Sequence, residues 1–90
     1  MNVADYIAEL ETGCRRLAAD NVVAEVRGDP PSIGSFLYAT SVSRAVEISI
    51  DDEGWYVEFW HANSDDSLSE SSLGSFSDAL AAARDWLSSD

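Results

Sequence analysis

The repeat of apolar residues changes twice along this chain, and those two changes decide what it can fold into. Val3, Ile7, Leu10, Cys14 and Leu17 recur at spacings of 4, 3, 4 and 3, the stripe of an amphipathic helix. From Val22 to Trp60 the period falls to two, the alternation of half-buried strands. Past a polar stretch, Leu80, Ala83 and Leu87 restore the helical spacing. A chain helical at both ends and extended in the middle is α+β. The short links between its strands favour an antiparallel meander.

Local signals set the boundaries. Asn2 supplies an N-cap, Asp5 a favourable first-turn charge and Asp20-Asn21 a left-handed exit, so the first helix is predicted over 3–19. Gly13 weakens its middle by about 1 kcal/mol relative to Ala. Strands are expected at Val22–Arg27, Phe36–Thr40, Ala45–Asp51 and Trp55–Trp60. Gly28-Asp29-Pro30-Pro31, Ser41-Val42-Ser43-Arg44 and Asp52-Glu53-Gly54 divide them. His61 to Ser75 reads as a Ser-rich loop, in which Ser67-Leu68-Ser69-Glu70 has capping-box form and starts one helical turn. Ser77 is expected to cap a last helix over 78–88, with Phe76 as its staple. The order α-β-β-β-β-α then makes a single domain over 1–90, a four-stranded antiparallel meander with two helices packed on one face. The other face is left open.

The turns suggest a register. An even-length turn around Glu53-Gly54 lets Ile50 face Val57 and Ile48 face Phe59, which keeps core residues together. On the open side this sets Glu47 opposite Trp60, Ser49 opposite Glu58 and Asp51 opposite Tyr56. The same logic through Ser41–Arg44 pairs Ala39 with Val46 and Leu37 with Ile48, and places Tyr38 beside Glu47 and Phe36 beside Ser49. A row Tyr38–Glu47–Trp60 is expected across three strands, with Glu58 adjoining it. Tyr38, Glu47, Asp51, Tyr56, Glu58 and Trp60 are therefore the expected partner-binding residues, because rings interleaved with carboxylates hold cations and guanidinium groups. In the competing reading the aromatics merely cover backbone, or a bulge turns Phe36 and Tyr38 inward.

Charge limits what that face can meet. Among 90 residues, 17 are acidic and 5 basic, for a formal net charge of −12, and every cation is Arg. Nucleic acid, whose binding depends on phosphate neutralisation, is excluded, and an anionic membrane surface is disfavoured. A basic protein or peptide is the partner such a field attracts. No apolar run approaches the roughly 20 residues of a membrane span. Met1-Asn2-Val3-Ala4-Asp5 lacks the basic flank and apolar core of a signal peptide. With one cysteine, Cys14, no internal disulfide is possible, and a reducing cytoplasm is the expected location. The Ala, Ser and Arg bias without Lys points to a GC-rich bacterial genome.

Catalytic chemistry is poorly supplied. His61, near Asn63, Asp65 and Asp66, has no second His or Cys in reach to complete a zinc site. Asn63, Asp65, Ser67 and Ser69 alternate as calcium-loop ligands do, but Leu68 stands where the sharp-turn Gly belongs and Gly74 where the bidentate Glu belongs. Gly28, Gly34 and Gly54 are isolated and make no phosphate cradle. Cys14 belongs to an apolar stripe, and a flat sheet gives Glu47 and Glu58 no pocket for acid–base work. No metal, cofactor or catalytic group is expected; the chain reads as a binding protein, not an enzyme.

The run Ile48-Ser49-Ile50-Asp51-Asp52-Glu53-Gly54-Trp55-Tyr56-Val57-Glu58-Phe59-Trp60, a polar loop, and then Phe76 to Leu87 resembles the end of small bacterial immunity proteins encoded beside polymorphic toxins. Those proteins commonly finish with an acidic turn, an aromatic strand and an Ala-rich amphipathic helix. The resemblance covers the second half of the chain and implies neutralisation of a cognate toxin in the cytoplasm by covering its active surface. A basic nuclease is the kind of toxin the charge favours. Two other readings stand beside it: a secretion-chaperone-like escort, and a housekeeping domain. A homodimer with an apolar groove would favour the escort, and a monomer that captures a folded partner the inhibitor.

Overall fold

The computed structural model describes residues 2–28, 34–51, 54–61 and 69–88. Asn2 caps the first helix as expected: its side-chain oxygen accepts from the Asp5 N–H at 2.8 Å, and α1 runs Val3–Ala18. Asn21 then turns the chain at φ 62°, the expected left-handed exit. The buried side of α1 differs from the expected stripe. Tyr6, Leu10, Gly13 and Leu17 are buried, whereas Ile7 and Cys14 are half-buried and Val3 is exposed. Tyr6 and Gly13 suit the interior for reasons that hydropathy does not register. The Tyr6 hydroxyl donates to the Ser35 carbonyl at 2.5 Å, and Gly13 leaves room for Phe76, whose Cζ would stand 2.6 Å from a Cβ placed there.

β1 (Val23–Arg27), β2 (Phe36–Thr40), β3 (Arg44–Asp51), β4 (Gly54–His61) and β5 (Ser69–Leu73) form one antiparallel sheet in chain order. The fifth strand corrects the four-stranded expectation, and Glu70, expected in a helical turn, is extended. Ser69-Glu70-Ser71-Ser72-Leu73 contains no β-branched or aromatic residue, so no propensity announces it. It pairs because β4 would otherwise present a row of unsatisfied backbone groups, and an exposed edge strand needs little apolar surface. The expected loop residues Asp29 to Pro31, the Asp52-Glu53 turn pair and residues 62–68 lie outside the described residues.

The register of β2 on β3 is the expected one, with Leu37 opposite Ile48, Tyr38 opposite Glu47 and Ala39 opposite Val46. Between β3 and β4 it is displaced by two residues: Val46 faces Phe59, Ile48 faces Val57 and Ile50 faces Trp55. Gly54 accounts for the displacement. It opens β4 instead of belonging to the turn, at φ 130° opposite Asp51, and a Cβ on it would stand 2.9 Å from the Leu73 carbonyl oxygen. A displacement of two keeps every side chain on its own face.

α2 spans Phe76–Ser88, two residues longer at its start than expected, and Ser75 rather than Ser77 caps it: the Asp78 N–H donates to the Ser75 Oγ at 3.2 Å. Leu10 and Leu17 of α1 and Leu80, Ala83 and Leu87 of α2 share one apolar cluster with Leu37, Val46, Ile48, Val57 and Phe59. Both helices therefore cover the same side of the sheet, α1 over β1 and β2, and α2 over β3 to β5. Trp86 fastens α2 to the end of the sheet. Its Nε1 donates to the Ala45 and Trp60 carbonyls at 3.0 and 3.2 Å, and the Arg44 guanidinium lies 4.2 Å from its ring centre. No helix among the described residues is long and apolar enough to cross a membrane.

Candidate protein-binding face

Strand parity puts Glu25 and Arg27 of β1, Phe36 and Tyr38 of β2, Glu47 and Ser49 of β3, Tyr56, Glu58 and Trp60 of β4, and Glu70 of β5 on the side away from the helices. Among the described residues no helix or strand covers that side. Register lines up one row across all five strands: Glu25 opposite Tyr38, Tyr38 opposite Glu47, Glu47 opposite Glu58, and Glu58 opposite Glu70. The expected row Tyr38–Glu47–Trp60 is thus corrected. Glu58 takes the place assigned to Trp60, which lies opposite Ala45, and Tyr56 faces Ser49 rather than Asp51. Tyr56 and Trp60 sit two residues to either side of Glu58 on the same strand, about 7 Å away along it. Carboxylates in a line, bordered by rings, are what the strands assemble.

Like charges directly opposite each other in a sheet are destabilising, and here they sit in its middle. The Glu47 carboxyl is held above the usual glutamate range, first by partial burial and then by the charge of Glu58, with Arg27 pulling the other way. The Tyr56 hydroxyl donates to Glu70 Oε2, and that bond, aided by partial desolvation and the charges of Glu58 and Glu70, keeps the phenol protonated well above its ordinary range. At the other end of the row, the Arg27 Nε lies 2.5 Å from Glu25 Oε1 and its guanidinium 4.0 Å from the Tyr38 ring centre. Among the described residues Arg27 is the one cation on this face. Arg15, Arg16 and Arg84 belong to the helices, and Arg44 lies against Trp86 on the helix side.

Glu47 has a pH signature. A carboxyl that holds its proton more tightly folded than unfolded favours the folded state most where it is protonated. Its contribution is lost as pH rises from the ordinary glutamate value through the raised one. Relative to Glu47→Gln, the natural protein is expected to lose melting temperature across that window as pH climbs, and parallel melting-versus-pH curves for the two would contradict it.

Of the expected site residues, Tyr38, Glu47 and Glu58 are brought into one row, Tyr56 and Trp60 border it, and Asp51 closes β3 two positions beyond Ser49, its side chain lying outside what is described. Glu70 and Glu25 were not among them; Glu70 rides on the strand that no propensity signals. Among the described residues, open grooves of about 600, 490 and 410 Å³ lie at the paired helix ends, between the helices, and between α1 and β1; the last includes Glu25, and none is lined by Glu47, Glu58 or Glu70. Among the described residues no group of three or more His, Cys, Asp or Glu is placed to hold a metal. No protein-family model, curated protein or solved structure matches the chain.

Proposed function

We propose that the open sheet face is a docking surface for a cationic protein and that the chain works by binding, as an inhibitor that covers a basic active surface, in the manner its resemblance to immunity proteins implies. One observation carries the reading: Glu47, Glu58 and Glu70 stand in adjacent register without an interleaved cation, between Tyr56 and Trp60, on a side no described element covers. Such an arrangement lowers stability when the protein is alone. A guanidinium or ammonium group laid along the row relieves the repulsion, and the neighbouring rings supply cation–π and apolar contact. The net charge of −12 draws such a partner in before contact.

The test uses a folded basic ribonuclease and an Arg-rich peptide as probes, with binding followed by stopped-flow Trp fluorescence and by NMR shift mapping. Association is expected to slow about tenfold or more between low and physiological salt, with perturbed amides confined to β3, β4 and β5. A salt-indifferent on-rate, or perturbations centred on α1 and α2, would place the interaction elsewhere and remove the support for this reading.

A further inference from the structure

We propose that the protein pairs with a second copy of itself through the outer edge of β1 and the flank of α1 beside it. The strand order leaves β1 without an outer neighbour among the described residues, so its outward N–H and C=O groups form an open ladder. Edges are usually blunted by Lys, Pro or inward charges; this one carries no Lys or Pro, and its two charges, Glu25 and Arg27, are of opposite sign, beside Val23, 72 % exposed, Ala24 and the half-buried Val26. Between that edge and α1 runs the groove of about 410 Å³, lined by Ile7, Glu11, Cys14, Arg15, Glu25 and Val26. Ile7 and Cys14 are two of the apolar residues that the rotated stripe of α1 leaves short of full burial.

Charge says what fits there. Of the five Arg, Arg15, Arg16 and Arg27 fall on α1 and β1, and each lining acid has a cation nearby in sequence, Glu11 with Arg15 and Glu25 with Arg27. In a chain whose copies otherwise repel, this edge is locally balanced, so a copy meets least opposition here, while a strongly basic partner gains more on the carboxylate row. The edge is also self-complementary. An antiparallel pair with its two-fold at Val26 sets Glu25 opposite the partner's Arg27 and Arg27 opposite the partner's Glu25, with Val26 against the partner's Val26 on the helix side. The same two-fold runs the α1 helices antiparallel along the seam and turns Glu11 toward the partner's Arg15. Pairing fills the groove instead of presenting it, so such a dimer does not offer the open apolar channel an escort would need.

The closing experiment is sedimentation equilibrium of the full chain across concentration and salt. Dimerisation is expected to strengthen with salt, because added ions screen the repulsion between two anions. That is opposite in sign to capture of a cationic probe on the open face, so failure of one reading is separable from failure of the other. Glu25→Arg or Arg27→Glu alone should weaken the dimer about tenfold, each pair counting twice about the axis. The double exchange should restore it, with circular dichroism melts confirming that all three variants fold. Val26→Cys in a Cys14→Ser background should cross-link on oxidation, as two residues facing each other at the axis lie within disulfide reach. A chain that stays monomeric near about 1 mM in high salt, a dimer indifferent to the exchanges, or an uncross-linked Val26→Cys overturns the proposal. So does a monomer in which Arg27→Glu alters only capture of the basic probe, which would assign the edge to that probe.

Discussion

Trp55→Ala is expected to remove most of the stability of this domain. Trp55 is 5 % exposed on the helix side of β4, with its ring centre 5.6 Å from that of Tyr6 on α1 and 4.8 Å from that of Phe76 on α2. It is the point at which sheet and both helices meet. Truncating a buried Trp costs about 3–5 kcal/mol, partly as lost transfer energy and partly as the cavity left behind. A domain of this size has a total stability near the low end of the usual 5–15 kcal/mol. At about 4–8 °C per kcal/mol, the thermal midpoint should fall by about 12 °C or more, or the transition should disappear. Trp60→Ala, on the opposite face of the same strand, should cost less, about 1–2 kcal/mol, because that side chain is only partly buried and no described element packs over it. Circular dichroism melts of the two variants side by side decide the matter. Equal effects would place both rings in the interior.

The second large effect concerns Glu47 and Glu58, and its two parts run in opposite directions. Neutralising both to Gln removes a directly opposed like-charge pair and should raise stability by about 0.5–1 kcal/mol. The same change deletes the centre of the carboxylate row and should weaken capture of a basic partner about 100-fold, as loss of two central charged contacts does at other interfaces. A gain in melting temperature together with a loss of affinity is the mark of residues kept at a stability cost for binding. If the double variant is more stable and binds as before, the row is a solvated surface with no docking role. If it is less stable, the pair holds some contact that favours the fold. Calorimetry and a binding titration on one preparation read both quantities.

Which side of the sheet faces solvent was legible in the sequence, and the reason is arithmetic. Alternation has period two, so a register misplaced by two residues still sends Glu47, Tyr56, Glu58 and Trp60 outward and Val57 and Phe59 inward. Which residue lies opposite which was not legible, because that depends on where the turn closes. β4 opens at Gly54, where a Cβ would crowd the Leu73 carbonyl on a strand that has no sequence signal of its own. Glu70 was hidden for the same reason: serines with one acid between them read as loop until an unpaired neighbour recruits them. Within α1, periodicity found the helix and its caps but not its orientation. Tyr6 is buried through a hydroxyl that satisfies a backbone carbonyl, and Gly13 because it has no side chain to exclude Phe76. Neither property is visible to a hydropathy count.

Arg27 sits at one end of the acidic row, and no cation among the described residues answers it at the other. Across its width the face is therefore lopsided, nearly neutral beside β1 and strongly negative toward β5. That gradient gives the surface a dipole in its own plane, and a dipole exerts a torque as well as a pull. A positively charged visitor is turned before it arrives, with its most basic side swung toward Glu58 and Glu70, so that collisions begin already aligned.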